Sequence, residues 1–307
     1  MDIHYTWIGA PPADRNRDIN GPKALAARCA GQSVKIYFWC LDAQVASYER
    51  DFAAHKNVTV RGMEAFLRTA GGKAYRWYYW YQESDDWAVA AMTDILNWGL
   101  ANGTPTSYRA FVKDAWSLFL MYTWGGYVLD AGVGPHGAGA FALPEPTAFM
   151  APSLTRVDAL MMRRFQFSRL AGWQAQGDVT LNEMRADEVC AAMHYGAADD
   201  GGTEMCPQLE VWMLASPRYS KGAWAALKQY CVVWKEMQQN NELVTAEAPQ
   251  VFRYLIAGSV YNGVTRTQKG GVQAPHDSFW YCTDNQDGTV DVSDLKLRKT
   301  YHGSSAH

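Results

Sequence analysis

The stretch that most constrains how this chain folds is residues 113–135, KDAWSLFLMYTWGGYVLDAGVGP. Its first half is almost continuously apolar and reads as a buried helix over residues 107–124. Gly125 and Gly126 then break the helix, Tyr127, Val128 and Leu129 form a short β-prone run, and Asp130 ends it. Helix, glycine turn, strand and acid in that order deliver a carboxylate to the carboxyl end of a buried strand. Open α/β sheets bind their ligands at that edge. The residues that follow, GVGPHGAGAFALPEP, are rich in glycine and proline and read as an irregular loop bordering the site.

The rest of the pattern supports an α/β chain. Residues 3–8 (IHYTWI) read as a buried first strand closed by Gly9 and a Pro11-Pro12 turn, and residues 34–41 (VKIYFWCL) as a second strand. A helix is expected over 22–30, another over about 42–54 with Asp42 as its N-cap, and a short strand at 58–60. Successive strand–helix units predict a mainly parallel sheet. Further helices are expected near 84–99, 161–172, 182–195, 221–239 and 248–257, and strands near 148–151 and 209–215. From residue 262 onward the sequence reads as irregular with short β-like pieces. No repeat or linker interrupts the 307 residues, so one domain over 1–307 with helical insertions is expected.

Composition narrows the function classes. The net charge is -3 with no long basic run, which argues against nucleic acid as the main partner. The longest apolar run, residues 115–124, is too short to cross a bilayer, so no transmembrane segment is expected. The start lacks a basic region followed by an apolar one, which predicts a cytoplasmic protein or one secreted without a Sec-type signal. Six scattered cysteines without a C-x-x-C pair read as reduced thiols. The 13 tryptophans and 17 tyrosines fit either a thick core or a cleft lined with stacking surfaces.

The order IHYTWIG, IYFWCLD and D-x-x-x-(apolar)-GG-x-x-LD resembles the glycosyltransferases with a DXD-containing sugar-binding region. That family includes initiating mannosyltransferases, capsular glycosyltransferases and the glucosyltransferase domains of large clostridial toxins. Asp114, Ser117, Met121, Gly125, Gly126, Val128, Leu129, Asp130, Gly132 and Val133 align with its central motif without a gap. The run LEVWMLASP resembles a later family strand, and the closing TYHGSSAH its His- and Ser-containing end. The resemblance implies a GT-A fold, a Rossmann-like mixed and mainly parallel sheet flanked by helices, and transfer of a sugar from a UDP- or GDP-sugar with retention of configuration. It departs from the family at Ser117, where the family has Arg, at Val128 for Tyr, and at Gly132, where the family has its second acid.

By that resemblance Asp130 and Asp114 are the catalytic candidates. Asp130 would contact the ribose or sugar of the donor and Asp114 the sugar hydroxyls. Trp7 and Ile8 would lie beside the base, and Ser117, Gly125, Gly126 and Gly132 complete the expected nucleotide-sugar site. Asp114 has a plainer reading as a solvated acid in the first turn of an apolar helix, Trp7 as a core residue, and Asp42 as a helix cap only. Mn2+ or Mg2+ is the family's usual cofactor, held by carboxylates. With Gly132 in place of the second acid, Asp130 and His302 form the candidate metal pair. Cationic replacements for the metal are Arg266, Lys269, Arg298, Lys299 and His302, and Gly132 with Gly134 offers an anion-binding nest. Trp77, Tyr78 and Trp80 form an expected acceptor platform or, equally, a lid or oligomer contact. A protein, a glycan or a lipid-linked sugar would serve as acceptor. A different class remains open beside these: a degenerate GT-A-like protein that binds a nucleotide sugar or a partner without transfer.

Overall fold

The computed structural model describes residues 1–71, 83–102, 107–153, 211–241, 243, 255–256, 258–260, 263–264, 279–285 and 287–300. Its centre is a five-stranded sheet. The strands β1 (Asp2–Thr6), β2 (Lys35–Cys40), β3 (Val58–Gly62) and β4 (Gly126–Leu129) are parallel, and β7 (Met213–Ser216) runs antiparallel to β4 at the edge. The order is β3-β2-β1-β4-β7. The chain therefore winds outward from β1 to β3 and returns to the other side of β1 with β4. The junction of β1 and β4 is a topological switch point, where an open sheet leaves a crevice at its carboxyl edge. The sheet is mixed, mainly parallel and flanked by helices, as the sequence predicts.

Strict alternation of side chains explains why nearly continuous apolar strands fit here. Ile3, Tyr5, Ile36, Phe38, Cys40, Tyr127, Leu129 and Met213 face one core. That core is covered by α1 (Asn20–Arg28) and α2 (Val45–Phe52). Tyr37, Trp39, Val128 and Leu214 face the other core, beneath α3 (Met63–Gly71), α4 (Glu83–Ala101), α5 (Ser107–Thr123) and α6 (Lys221–Gln239). Among the described residues this second layer holds more of the aromatic side chains than the first. Trp39, Phe66, Trp116 and Trp124 meet mostly edge to face at centroid separations of 5.0–6.1 Å. The four cysteines among the described residues are buried thiols.

Several elements differ from expectation. The residues after Asp130 are not all irregular: β5 (Val133–Pro135) pairs with β11 (Leu297–Thr300). With β10 (Thr289–Val292) and β9 (Thr283–Asp284), they form a second, antiparallel sheet in order β5-β11-β10-β9. Its Val290, Val292 and Leu297 close the core over α1 and α2. Pairing between residues 133 and 299 is far too distant to be visible in local periodicity. A small parallel pair joins β6 (Ala151–Ser153) to β8 (Phe279–Tyr281). Asp42 is a cap, but of α3 rather than of the helix that follows it. Its carboxylate accepts the Ala65 N–H at 3.0 Å and Arg68 Nη2 at 2.6 Å, while its own N–H donates to Glu64 Oε2 at 2.7 Å. This is a capping box assembled across two elements. The helices expected at 161–172 and 182–195 and the aromatic run 76–82 lie outside the described residues, as does most of the helix expected at 248–257.

The turn from α5 into β4 is where backbone geometry is most demanding. Gly125 and Gly126 have φ of +79° and +84°, which L side chains adopt with difficulty. A Cβ on Gly126 would also run into the Asp2 carbonyl oxygen, because β4 starts hard against β1. His4 fastens the same turn. Trp39 Nε1–H donates to His4 Nδ1 at 3.1 Å, so the imidazole proton sits on Nε2 and is donated to the Gly125 carbonyl, also at 3.1 Å. Burial pushes the His4 pKa down to about 4, keeping the ring neutral. Gly126→Ala should cost roughly 2 kcal/mol more than Gly31→Ala, as for overpacking added to a left-handed backbone. Gly31 has φ +80° with nothing within 4 Å of its would-be Cβ, so it isolates the backbone penalty. Urea unfolding midpoints of the two variants measure the difference.

Candidate functional site

Because β4 is parallel to β1, both carboxyl ends reach the same edge of the sheet, and the residues following them flank the switch point. Asp130 follows β4 directly. Its N–H donates to the Trp212 carbonyl at 2.8 Å, and its carbonyl accepts the Val133 N–H at 2.9 Å. The segment beyond it is gripped on several sides. Tyr5 Oη–H donates to the Val133 carbonyl at 3.0 Å, and the Thr300 N–H donates to the Gly132 carbonyl at 3.1 Å. Gly21 of α1 lies so close that a Cβ there would strike the Ala131 and Val133 carbonyls. The expected loop bordering the site is thus a rigid support at its start.

Both carboxylate oxygens of Asp130 are engaged by lysines. Lys113 Nζ donates to Oδ1, and Lys299 Nζ donates to Oδ2 at 2.6 Å. Lys113 comes from α5, whose amino-terminal half lies at this edge because α5 runs antiparallel to the strand it feeds. Lys299 comes from β11, opposite Val133 in the register. Asp114 stands beside them, with Oδ1 3.6 Å from Lys113 Nζ. The side chains are mostly enclosed: Asp130 is 21% exposed, Asp114 14% and Lys299 12%. Arg109, one helical turn before Lys113, places Nη1 2.7 Å from where a Cβ on Gly9 would sit, in the turn that follows β1.

The two carboxyls respond oppositely to this setting. For Asp130, burial alone would raise the pKa, but Lys113 and then Lys299 outweigh it and hold the group down at about 2. For Asp114, burial dominates; Lys113 pulls it down, negative Asp130 pushes it up, and the net result is a rise to about 6. Asp130 is a fixed anion, while Asp114 exchanges a proton close to neutrality.

The other sequence candidates distribute around this centre. Trp7 sits at the end of β1, part-buried, with Nε1–H donated to the Ala10 carbonyl at 3.1 Å and its ring against the α1–α2 side of the core. Ile8 packs against the opposite core. Ser117 is buried at 4% exposure and returns its hydroxyl to the Lys113 carbonyl at 2.9 Å, the ordinary back-bond of a helical serine. Gly125 and Gly126 lie at the amino end of β4, roughly 13 Å along the strand from Asp130. They set the strand's position rather than line the crevice. Gly132 borders the site, its carbonyl taken by Thr300. Gly134 pairs with Arg298 inside the antiparallel ladder, so its N–H belongs to the sheet and not to an anion nest. Among the expected cations, Lys299 reaches Asp130, whereas Arg298 donates Nε and Nη2 to Asp291 at 2.6 and 2.7 Å. Arg266, Lys269, His302 and the aromatic residues Trp77, Tyr78 and Trp80 lie outside the described residues. Sequence reasoning missed Lys113 and Arg109, although both lie on the helix face carrying Ser117 at a spacing of four residues, a signal available from the start.

A divalent cation does not fit this donor set. Among the described residues no group of three or more His, Cys, Asp or Glu side chains converges. At an effective dielectric of 20, unit charges 4 Å apart interact by about 4 kcal/mol, so an ammonium repels a divalent ion by about 8 kcal/mol at that distance. Two lysines therefore overcome the attraction of Asp130, and an ionised Asp114 only restores balance. Hard cations are held where carboxylates outnumber fixed positive charges.

No protein-family model matches the sequence, and comparison with curated proteins finds no match. Solved structures with a partial likeness include the PaToxG glycosyltransferase, at TM-score 0.44 and 13% identity, covering 87% of this chain and 72% of that one. The ligand-free glycosyltransferase domain of the YGT toxin aligns at TM-score 0.40 and 9% identity, covering 84% and 67%. A transferase mutant with two cysteine-to-serine changes aligns at 0.38 and 12%, covering 88% and 86%. All three scores fall below one half, and the functional reading rests on the site itself. Among the described residues no helix is long and apolar enough to cross a membrane.

The opposite shifts of Asp114 and His4 give a pH signature. A native Asp114 titrating near 6 holds a proton that the unfolded chain releases from 3.8 upward, so this group's stabilisation is present below 3.8 and lost as pH rises through 6. The buried neutral His4 acts the other way, since the unfolded imidazole binds a proton below 6.5 and the native one only near 4. The two slopes oppose each other between pH 4 and 6. Asp114→Asn removes one of them, so its stability should climb more steeply than wild type from pH 4 to 7, by roughly 3 kcal/mol at most. Urea unfolding across that pH range checks both the sign and the size.

Proposed function

We propose that this chain is a glycosyltransferase of GT-A type that takes a UDP- or GDP-sugar at the carboxyl edge of β1 and β4 and transfers the sugar with retention of configuration. The observation that carries the reading is the placement of Asp130 and Asp114 around Lys113 at the sheet's switch point, delivered there by α5, the Gly125-Gly126 turn and β4. A sugar nucleotide offers many hydroxyl donors and an anionic diphosphate. Enclosed carboxylates accept the hydroxyls, and enclosed ammonium groups meet the phosphates. In this reading Asp130 takes the ribose or sugar hydroxyls, Asp114 the donor sugar, and the exposed part of Trp7 the base. Transfer breaks the bond between the anomeric carbon and the diphosphate oxygen, whose electron pair leaves with the nucleoside diphosphate. An acceptor hydroxyl oxygen bonds to the same face of that carbon, and its proton passes to the departing diphosphate oxygen. The acceptor is a protein, a glycan or a lipid-linked sugar, and Trp77, Tyr78 and Trp80 supply stacking faces for it.

A second reading is favoured by one observation. Both oxygens of Asp130 are already occupied by lysines, an arrangement that also suits a protein binding a nucleotide sugar without transferring it.

Calorimetry with UDP-glucose, UDP-GlcNAc, UDP-galactose and GDP-mannose, each with and without Mn2+, should show binding of at least one donor. Slow donor hydrolysis should accompany it and should fall in Asp130→Ala by about a hundredfold or more, as for loss of one preorganised polar group. Binding without any hydrolysis or transfer selects the second reading, and failure of every donor to bind removes both.

A further inference from the structure

We infer that the Thr6 hydroxyl is a ligand-binding group of the same crevice, sharing one hydroxyl of the ligand with the Asp130 carboxylate across the junction of β1 and β4. The inference deepens the nucleotide-sugar reading above and rests on it for the identity of the ligand.

The position follows from strand register. Tyr5 lies opposite Leu129, so Thr6 and Asp130 are the next residues of two neighbouring parallel strands. Alternation puts Thr6 on the face of His4, whose ring stacks on Tyr37 at 5.3 Å, and Asp130 on the face of Val128. Both therefore stand on the α5 side of the sheet, where Lys113 meets Asp130. On its other flank Thr6 lies opposite Trp39, whose Nε1–H is given to His4. The hydroxyl thus has a carboxylate to one side and an indole committed elsewhere to the other.

This hydroxyl is enclosed and unused. Thr6 is 3% exposed, and its Oγ1 has no hydrogen-bond partner among the described residues. A buried hydroxyl left unpaired destabilises the fold, and valine, of nearly the same shape, would avoid that penalty. Trp116 Nε1 is likewise unpaired, but its ring lies among Trp39, Phe66 and Phe119 inside the core. Thr6 instead ends β1 at the edge where an open sheet takes its ligand.

The spacing suits one shared hydroxyl. Neighbouring strands lie about 4.8 Å apart, and an O–H···O bond spans about 2.7 Å, so an oxygen placed between the two side chains reaches both. It donates its own proton to Asp130 and accepts the proton of Thr6. Asp130 has room for this bond beside its lysines, because a carboxylate offers roughly four lone-pair sites. The side chains over Oγ1 part as the ligand hydroxyl enters. Since Oγ1 is already withdrawn from solvent, the bond gained is not offset by one lost to bulk water.

The test is calorimetry on the full chain with UDP-glucose, UDP-GlcNAc, UDP-galactose and GDP-mannose, using wild type, Thr6→Val and Thr6→Ser, with thermal melting of each. Thr6→Val should weaken every donor that wild type binds by about tenfold, while melting no lower than wild type and up to a few degrees higher. Thr6→Ser, which keeps the hydroxyl, should retain affinity within about threefold. The matching nucleoside diphosphate tells which hydroxyl is shared. Thr6→Val weakens it too if the hydroxyl is on the ribose, and leaves it unchanged if the hydroxyl is on the sugar; either result supports the inference. Wild-type donor affinity in Thr6→Val, or equal losses in the Val and Ser variants, overturns the inference and leaves the transferase reading standing. So does a Thr6→Val chain that melts lower or fails to fold, since the hydroxyl then has a structural partner. Failure of every donor to bind wild type overturns the nucleotide-sugar reading and the inference with it.

Discussion

The carboxylate of Asp130 is clamped by Lys113 and Lys299, and this contact ties together parts of the chain that lie far apart in sequence. Lys113 belongs to the helix that precedes β4, and Lys299 to the last strand of the small antiparallel sheet. An enclosed carboxylate costs several kcal/mol to desolvate unless opposite charges meet it. Here two such charges do, and they hold its pKa at about 2. The small sheet is thereby tied to the carboxyl edge of the large one. The supporting bonds from Tyr5 and Thr300 to the residues after Asp130 reinforce the same connection. Asp114, one residue from Lys113 and in the same enclosure, receives no comparable compensation, which is why its pKa moves the other way.

The geometry that delivers Asp130 depends on what happens at the far end of β4. Gly125 and Gly126 allow the chain to reverse within two residues and start β4 against the backbone of Asp2. The neutral ring of His4, its proton placed by Trp39, bonds the Gly125 carbonyl and keeps that reversal in place. The glycines expected to line the ligand site therefore act at a distance, by fixing where the strand begins and so where it ends. Ser117 is similar in kind. It lies on the face of α5 that looks toward the site, but burial and its bond to the Lys113 carbonyl make it part of the helix's packing.

Much of this was legible in the sequence because it is local. The helix–glycine–strand–acid order follows from a change of period and two breakers, and α6 begins where Ser220 offers its hydroxyl to the Ala223 N–H. The order of the early strands implied a mainly parallel sheet with its useful edge at the carboxyl ends. What could not be read is what depends on distant partners. The register of β5 with β11 spans more than half the chain. The capping of α3 by Asp42 crosses from one strand–helix unit to the next. Lys113 carries no role in a local reading, because its significance lies in Asp130 seventeen residues later and in Lys299 near the other end of the sequence. A tail that reads as irregular contains strands too short to show alternation, which are stable only as parts of a sheet.

A lone enclosed carboxylate at position 130 would lower its desolvation cost by taking up a proton and drifting to a higher pKa. Instead the anion is kept, with two cations placed on it from different elements, and its pKa lies below that of an ordinary aspartate. That state needs Lys113 and Lys299 both present and both held by rigid backbone.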